Sequence, residues 1–253
     1  MKLLVANWKM APETVIGART LAKTTHTLAR TYKKHLTTIA CTPFVYLSAF
    51  REVAKGLHLG AQTVAAGAEV ASTGQISAAM LKSLSVTYAI VGHSECRAAG
   101  DSDELVKAKI DRLLEKKITP IICVGEKTRD DQGWYLSVIK DQVESALRDI
   151  PKATIKRLII AYEPVWAIGA KAERQASPVE CREMVMFVRK LIADLTDEKT
   201  ARAVTILYGG SVDETNAPAF VTDGEADGLL AGRVSLDAKR FAKLAKAVVQ
   251  AIS

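Results

Sequence analysis

The chain has 253 residues, of which 49% are hydrophobic and 25% charged. No apolar run approaches the roughly 18 residues of a membrane helix, and the opening Met1-Lys2-Leu3-Leu4-Val5-Ala6-Asn7-Trp8 carries no cleavage pattern of a signal peptide, so a soluble, cytoplasmic protein is expected. The formal charge of +7 is spread through mixed segments such as Lys107–Arg112, with no basic block interleaved with aromatics; no nucleic-acid or membrane partner is expected, and an anionic small molecule suits the balance.

In chain order, short apolar runs alternate with amphipathic segments. The runs predict strands at Leu3–Ala6, Thr37–Cys41, His58–Ala61, Tyr88–Val91, Pro120–Val124, Leu158–Ala161, Val204–Leu207 and Gly228–Ala231. Helical spacing is expected over Glu13–Thr31, Val45–Ala54, Ser77–Leu84, Ser102–Lys116, Trp134–Arg148, Pro178–Leu195, Val212–Phe220 and Asp237–Ala251. Ser177-Pro178 and Asp101-Ser102-Asp103-Glu104 are good helix starts. Cys41, Cys96, Cys123 and Cys181 form no CxxC pair and the four histidines are scattered. With no dinucleotide fingerprint or Walker loop either, neither a metal nor a cofactor is expected.

Strands that are apolar on both faces and separated by helices imply a parallel sheet covered by helices. Eight such units without a composition break favour one closed (β/α)8 barrel domain spanning 1–253 over an open doubly wound sheet. All strand ends of a barrel point to one face, which gathers Asn7, Lys9, Thr42, Gln62, His93, Glu126, Glu163, Tyr208-Gly209-Gly210-Ser211 and Gly232. Around Glu163 the apolar run Leu158–Ala161 leads to a carboxylate, and Pro164 ends the strand. The residues Pro164, Val165, Trp166, Ala167, Ile168 and Gly169 that follow suit a lid. Alone, a Glu-Pro more often marks a solvated strand exit, a strand-end histidine a hydrogen-bonded filler, and paired glycines a turn.

Taken together, Asn7-Trp8-Lys9, Gly60-Ala61-Gln62, Thr73–Ser77, Val91–Glu95, Cys123–Glu126, Ala161–Gly169, Leu207–Val212 and Asp227–Gly232 resemble the triosephosphate isomerase family over nearly the whole chain. The resemblance implies interconversion of dihydroxyacetone phosphate and glyceraldehyde 3-phosphate through an enediolate, in glycolysis and gluconeogenesis, and a phosphorylated triose as substrate. That chemistry needs a base, an electrophile for the developing oxyanion and exclusion of water, and the resemblance implies which residues supply them. Glu163 matches the base, and His93 the electrophile, with a short helix beginning at Ser94 presenting its positive end to the ring. Lys9 matches the lysine that steadies the phosphorylated substrate and the oxyanion. Asn7, two residues earlier in an extended strand, is expected to point the same way and orient it, and Glu95 to pair with Lys9. Gly209, Gly210, Ser211 and Gly232 match a phosphate cradle after the seventh and eighth strands, joined by Gly169 when the lid shuts. Tyr208 is expected to latch the closed lid through its hydroxyl.

Three departures stand out. The second lid hinge, Ala170–Ala176, is longer and more polar than the family pattern, which implies altered closure and turnover. Arg233 stands where a second glycine is expected; if that position required φ > 0 it would be strained, and we expect the backbone to bind phosphate while the side chain turns to solvent or adds charge. Cys96 and Thr63 replace the usual arginine and asparagine near the surface on which relatives dimerise; the loop Thr63–Gln75 keeps the length of the interdigitating loop, so a homodimer is expected. The competing readings are a barrel enzyme for another phosphorylated sugar, and a catalytically silent barrel used as a binding protein.

Overall fold

Alternation within each strand decides what the barrel encloses and what it presents to the helices. In β1 (Lys2–Asn7), Val5 points inward while Leu4 and Ala6 point to the helices. The same period of two puts Ile39 and Cys41 of β2 (Leu36–Thr42) inside with Ile90 of β4 (Tyr88–Val91), Ile121 and Cys123 of β5 (Thr119–Val124) and Ile159 and Ala161 of β6 (Ile159–Tyr162). Leu207 of β7 (Thr205–Tyr208) and Leu230 of β8 (Gly228–Ala231) complete this inner cluster. With β3 (His58–Ala61), eight parallel strands among the described residues close in chain order, β8 pairing with β1 in the register Leu3↔Gly228 to Ala6↔Ala231. The computed structural model describes residues 1–54, 56–67, 70–169, 172 and 174–253.

The outer core lies between sheet and helices. After β1 comes α1 (Val15–Thr31), capped by the Thr14 hydroxyl. A 3-10 turn, Phe44–Tyr46, precedes α2 (Leu47–Val53), and α3 (Ala78–Ser83) follows β3. Beyond β4 stand α4 (Ser94–Ala98) and α5 (Asp103–Glu115), and beyond β5 α6 (Trp134–Leu147) and α7 (Lys152–Ile155). The 3-10 turn Val165–Ala167 precedes α8 (Pro178–Leu195), then come α9 (Glu198–Ala203), α10 (Ala217–Val221), the 3-10 turn Arg233–Leu236 and α11 (Ala238–Ile252). The two expected helix starts are present: Ser102 caps α5, and Ser177 forms a full capping box with Glu180 ahead of Pro178. No helix among the described residues is long and apolar enough to cross a membrane.

Strand positions agree with the expected runs to within about one residue, the usual spread of element ends. The helix expected over Val212–Phe220 is cut down to Ala217–Val221. There the Asp213 carboxylate accepts the Thr215 and Asn216 N–H groups and Asn216 Oδ1 accepts the Asp213 N–H, so side chains offer the backbone an alternative to helix.

Candidate active site

Glu163 follows β6 directly and is 2% exposed. Its Oε2 accepts the Ser94 N–H at 2.9 Å, and its Oε1 lies 3.3 Å from His93 Nε2. His93 in turn uses Nδ1 to accept the Glu95 N–H at 3.2 Å and so caps α4 with its own ring. A ring nitrogen that accepts carries no proton, so this geometry describes a neutral imidazole with its hydrogen on Nε2, directed into the site. Gly209 makes room for the carboxylate: a Cβ there would stand 2.9 Å from Glu163 Cγ.

Lys9 reaches the same space from β1. Its ammonium pairs with Glu95 Oε1, and its stem runs over Gly232, where a Cβ would meet Lys9 Cε at 3.0 Å. The extended-strand expectation for Asn7 and Lys9 is corrected here. The strand ends at Asn7, and Lys9 has φ +50°, a left-handed backbone that is costly for a lysine. Asn7 Oδ1 holds it by accepting the Lys9 N–H at 3.0 Å, while Gln62 Nε2 donates to Asn7 Oδ1 at 3.1 Å and to the Lys9 carbonyl at 2.8 Å. Burial opposes ionisation of Glu95, but the hydrogen bond and charge of Lys9 outweigh it and hold the carboxyl below its usual range.

These groups open onto one cavity of about 270 Å³, lined by Asn7, Lys9, His93, Glu95, Glu163, Ile168, Gly169, Gly209, Gly210, Ser211, Gly232 and Arg233 among others. Arg233 begins a 3-10 turn and is not at positive φ, so the residue that departs from the family pattern is unstrained. A larger hollow of about 680 Å³ lies at the N-terminal ends of β5 and β6, where Asp111, Glu115 and Asp149 alternate with Arg112, Lys117 and Arg157; its mixed charges converge on no reacting group.

The lid begins at Pro164 and turns through Val165–Ala167. Glu126, at the end of β5 and 1% exposed, collects three donors on Oε1: Tyr162 hydroxyl at 2.9 Å, Trp166 Nε1 at 2.8 Å and Arg129 Nη1 at 3.1 Å. Ser211 Oγ donates to the Ala167 carbonyl at 3.3 Å, and Arg174 lies 4.5 Å over the Trp166 ring. Tyr208 stacks on Phe220 at 3.8 Å, and its hydroxyl makes no hydrogen bond to the lid among the described residues. Of the second hinge, Ala170, Lys171 and Glu173 lie outside the described residues; within its remainder Arg174 pairs with Glu180, lowering that carboxyl to about 2. Gln62 and Glu126 stand at strand ends, and nothing in their local sequence assigns them a role, since their partners lie 53 and 40 residues away.

All four thiols are free. Burial pushes Cys41 and Cys123 well up, with the Glu163 charge adding to the rise at Cys123, and raises Cys181 to about 12. Cys96 is half-buried and also raised by burial, with Asp101 adding to it. Alkylation by iodoacetamide at neutral pH is therefore expected to label Cys96 slowly and the other three only on unfolding; mass spectrometry showing early labelling of Cys123 would contradict this.

The triosephosphate isomerase family profile matches residues 2–248. The triosephosphate isomerase of Roseiflexus sp. (strain RS-1) is 38% identical over 246 residues, 96% of this chain and 95% of that protein. That of Endomicrobium trichonymphae is 39% identical over 248 residues, 96% and 97%, and that of Caldanaerobacter subterraneus subsp. tengcongensis 37% identical over 246 residues, 96% and 97%. With a full-length profile match, relatives at these identities and a closed eight-stranded barrel, this chain belongs to the triosephosphate isomerase family.

Proposed function

We propose that the chain interconverts dihydroxyacetone phosphate and D-glyceraldehyde 3-phosphate, with Glu163 as base, His93 as electrophile and Lys9 as the cation at the oxyanion and phosphate. The observation that carries this reading is the meeting of carboxylate, neutral imidazole and ammonium on one 270 Å³ cavity beside Gly209, Gly210 and Gly232. Glu163 takes a proton from the carbon next to the carbonyl, and the C–H electron pair becomes the enediolate double bond as the carbonyl oxygen gains negative charge. His93 Nε2–H and Lys9 Nζ stabilise that oxygen. The proton then returns from Glu163 to the former carbonyl carbon, while the hydroxyl proton on the neighbouring oxygen passes by way of His93 Nε2 to the former carbonyl oxygen, so that atoms and charge balance. The bond to the Ser94 N–H parks the carboxylate, which leaves that donor to reach the substrate. Asn7 and Glu95 act by placing Lys9. Backbone N–H groups of Gly169, Ser211, Gly210 and Gly232 are positioned to cradle the phosphate, with Pro164–Gly169 excluding water. A coupled assay with glyceraldehyde 3-phosphate tests the reading; absence of turnover would leave a barrel for another phosphorylated sugar or a silent binding protein.

Arg233 lines the cavity with an exposed side chain and no carboxylate partner among the described residues. We expect Arg233→Gly to weaken competitive inhibition by inorganic phosphate a few-fold, with the fold unchanged; equal inhibition would leave the side chain in solvent only.

The homodimer rests on the loop Thr63–Gln75, of which residues 68 and 69 lie outside the described ones. Large apolar side chains stand exposed at Met10, Val45 and Val70 on the loops after β1, β2 and β3, and at Ile16 and Met80 on the helices that follow β1 and β3, the composition of an interface rather than of a solvated rim. Sedimentation at micromolar concentration is expected to give twice the 27.3 kDa chain mass; a monomer would count against the pairing. In this reading residues 1–253 form one barrel domain working in the cytoplasm, whose reducing conditions suit four free thiols.

A further inference from the structure

We infer that the chain carries a second anion site, for a small phosphorylated metabolite, at the opposite end of the barrel from the catalytic cavity. A hollow of about 390 Å³ opens there between α1 and the starts of β2 and β3. His26, Arg30 and Lys33 line it from α1 and the turn after it, His58 from β3, and Thr37 and Thr38 from β2, of which Thr38 turns its side chain toward the helices. Among the described residues no carboxylate lines it, and none of the four basic side chains makes an ion pair. A cation in the last turn of α1 offsets the helix dipole, which accounts for Arg30 alone and not for a lysine and two imidazoles converging on the same space.

The second observation is inside the hollow. Thr38 is 3% exposed, yet its Oγ1 has no hydrogen-bond partner. Its neighbours Ile39 and Cys41 show which way it faces: Ile39 and Cys41 point into the barrel, so Thr38 points outward under α1. A buried hydroxyl costs free energy until something bonds to it. A phosphate oxygen supplies an acceptor for that hydroxyl and a counter-charge for the basic groups at once, and charge-assisted bonds are the strong ones. The site is independent of the isomerase reading, because no residue in it touches the catalytic cavity.

The test uses the wild-type protein, ring-labelled at its four histidines, titrated with inorganic pyrophosphate and followed by NMR. His93 reports the catalytic cavity, while His26 and His58 report the proposed site. We expect His26 and His58 to shift saturably with a common midpoint. In the double variant Arg30→Ala, Lys33→Ala that midpoint moves at least about tenfold higher, while the His93 response and the isomerase rate stay at their wild-type values. No saturable shift at His26 and His58, or the same midpoint in the double variant, overturns the proposal. So does an equal response to sulfate, which would mark an adventitious ion only.

Discussion

Glu163→Gln is expected to lower kcat by about 10³-fold or more while leaving the affinity for inorganic phosphate within a few-fold of the parent. The amide fills the space that Gly209 leaves and so keeps the packing, but it cannot take a proton from carbon. It also has one acceptor oxygen where the carboxylate has two, and both are in use, Oε2 on the Ser94 N–H and Oε1 toward His93 Nε2. One of those donors therefore faces an NH₂ group, at a cost of about 1–3 kcal/mol for an unmatched buried group. A modest fall in thermal stability should accompany the loss of turnover. The proposed phosphate contacts lie on the lid and on the β7 and β8 loops and not on the substituted atoms, so binding and chemistry are expected to separate. Retention of more than a tenth of the parental kcat would remove Glu163 from the role of base.

The loop network around the carboxylate explains why sequence carried the barrel and its strand ends further than it carried the site's supports. The run Leu158–Ala161 is apolar on both faces because both faces are buried, and Pro164 ends it, so the position of Glu163 was legible from local letters alone. The left-handed backbone at Lys9 was not, because it depends on Gln62 arriving from β3 to hold the Lys9 carbonyl. Nor was the tie between lid and barrel, in which Glu126 of the β5 end accepts the Trp166 indole. Both are long-range hydrogen bonds between residues whose own neighbourhoods look ordinary. The misread helix at Val212 has the opposite origin: a purely local competitor, the Asp213 carboxylate, captures N–H groups that a periodic pattern assigns to a helix.

Lys9→Met should lower kcat/KM by about 10³-fold or more, with KM rising as well as kcat falling. Methionine keeps much of the length of the stem over Gly232, so the lost feature is the charge. Two consequences follow from the geometry. In the proposed reaction the enediolate oxygen loses one of its two donors and retains only His93 Nε2–H. The anionic substrate also meets Glu95, whose carboxyl is held below its usual range by Lys9 and whose side chain is 62% exposed. Without the ammonium that carboxyl titrates closer to its ordinary range, still ionised at neutral pH, and repels a phosphate dianion at the cavity mouth. The double variant Lys9→Met, Glu95→Gln removes the repulsion but restores no donor. It is therefore expected to recover phosphate affinity, on the order of tenfold, with no recovery of kcat. Recovery of both would mean that Lys9 serves chiefly to neutralise Glu95, and recovery of neither that Glu95 lies too far out in solvent for its charge to reach the phosphate. Only a split between the two constants assigns the ammonium to the transition state as well as to the ground state.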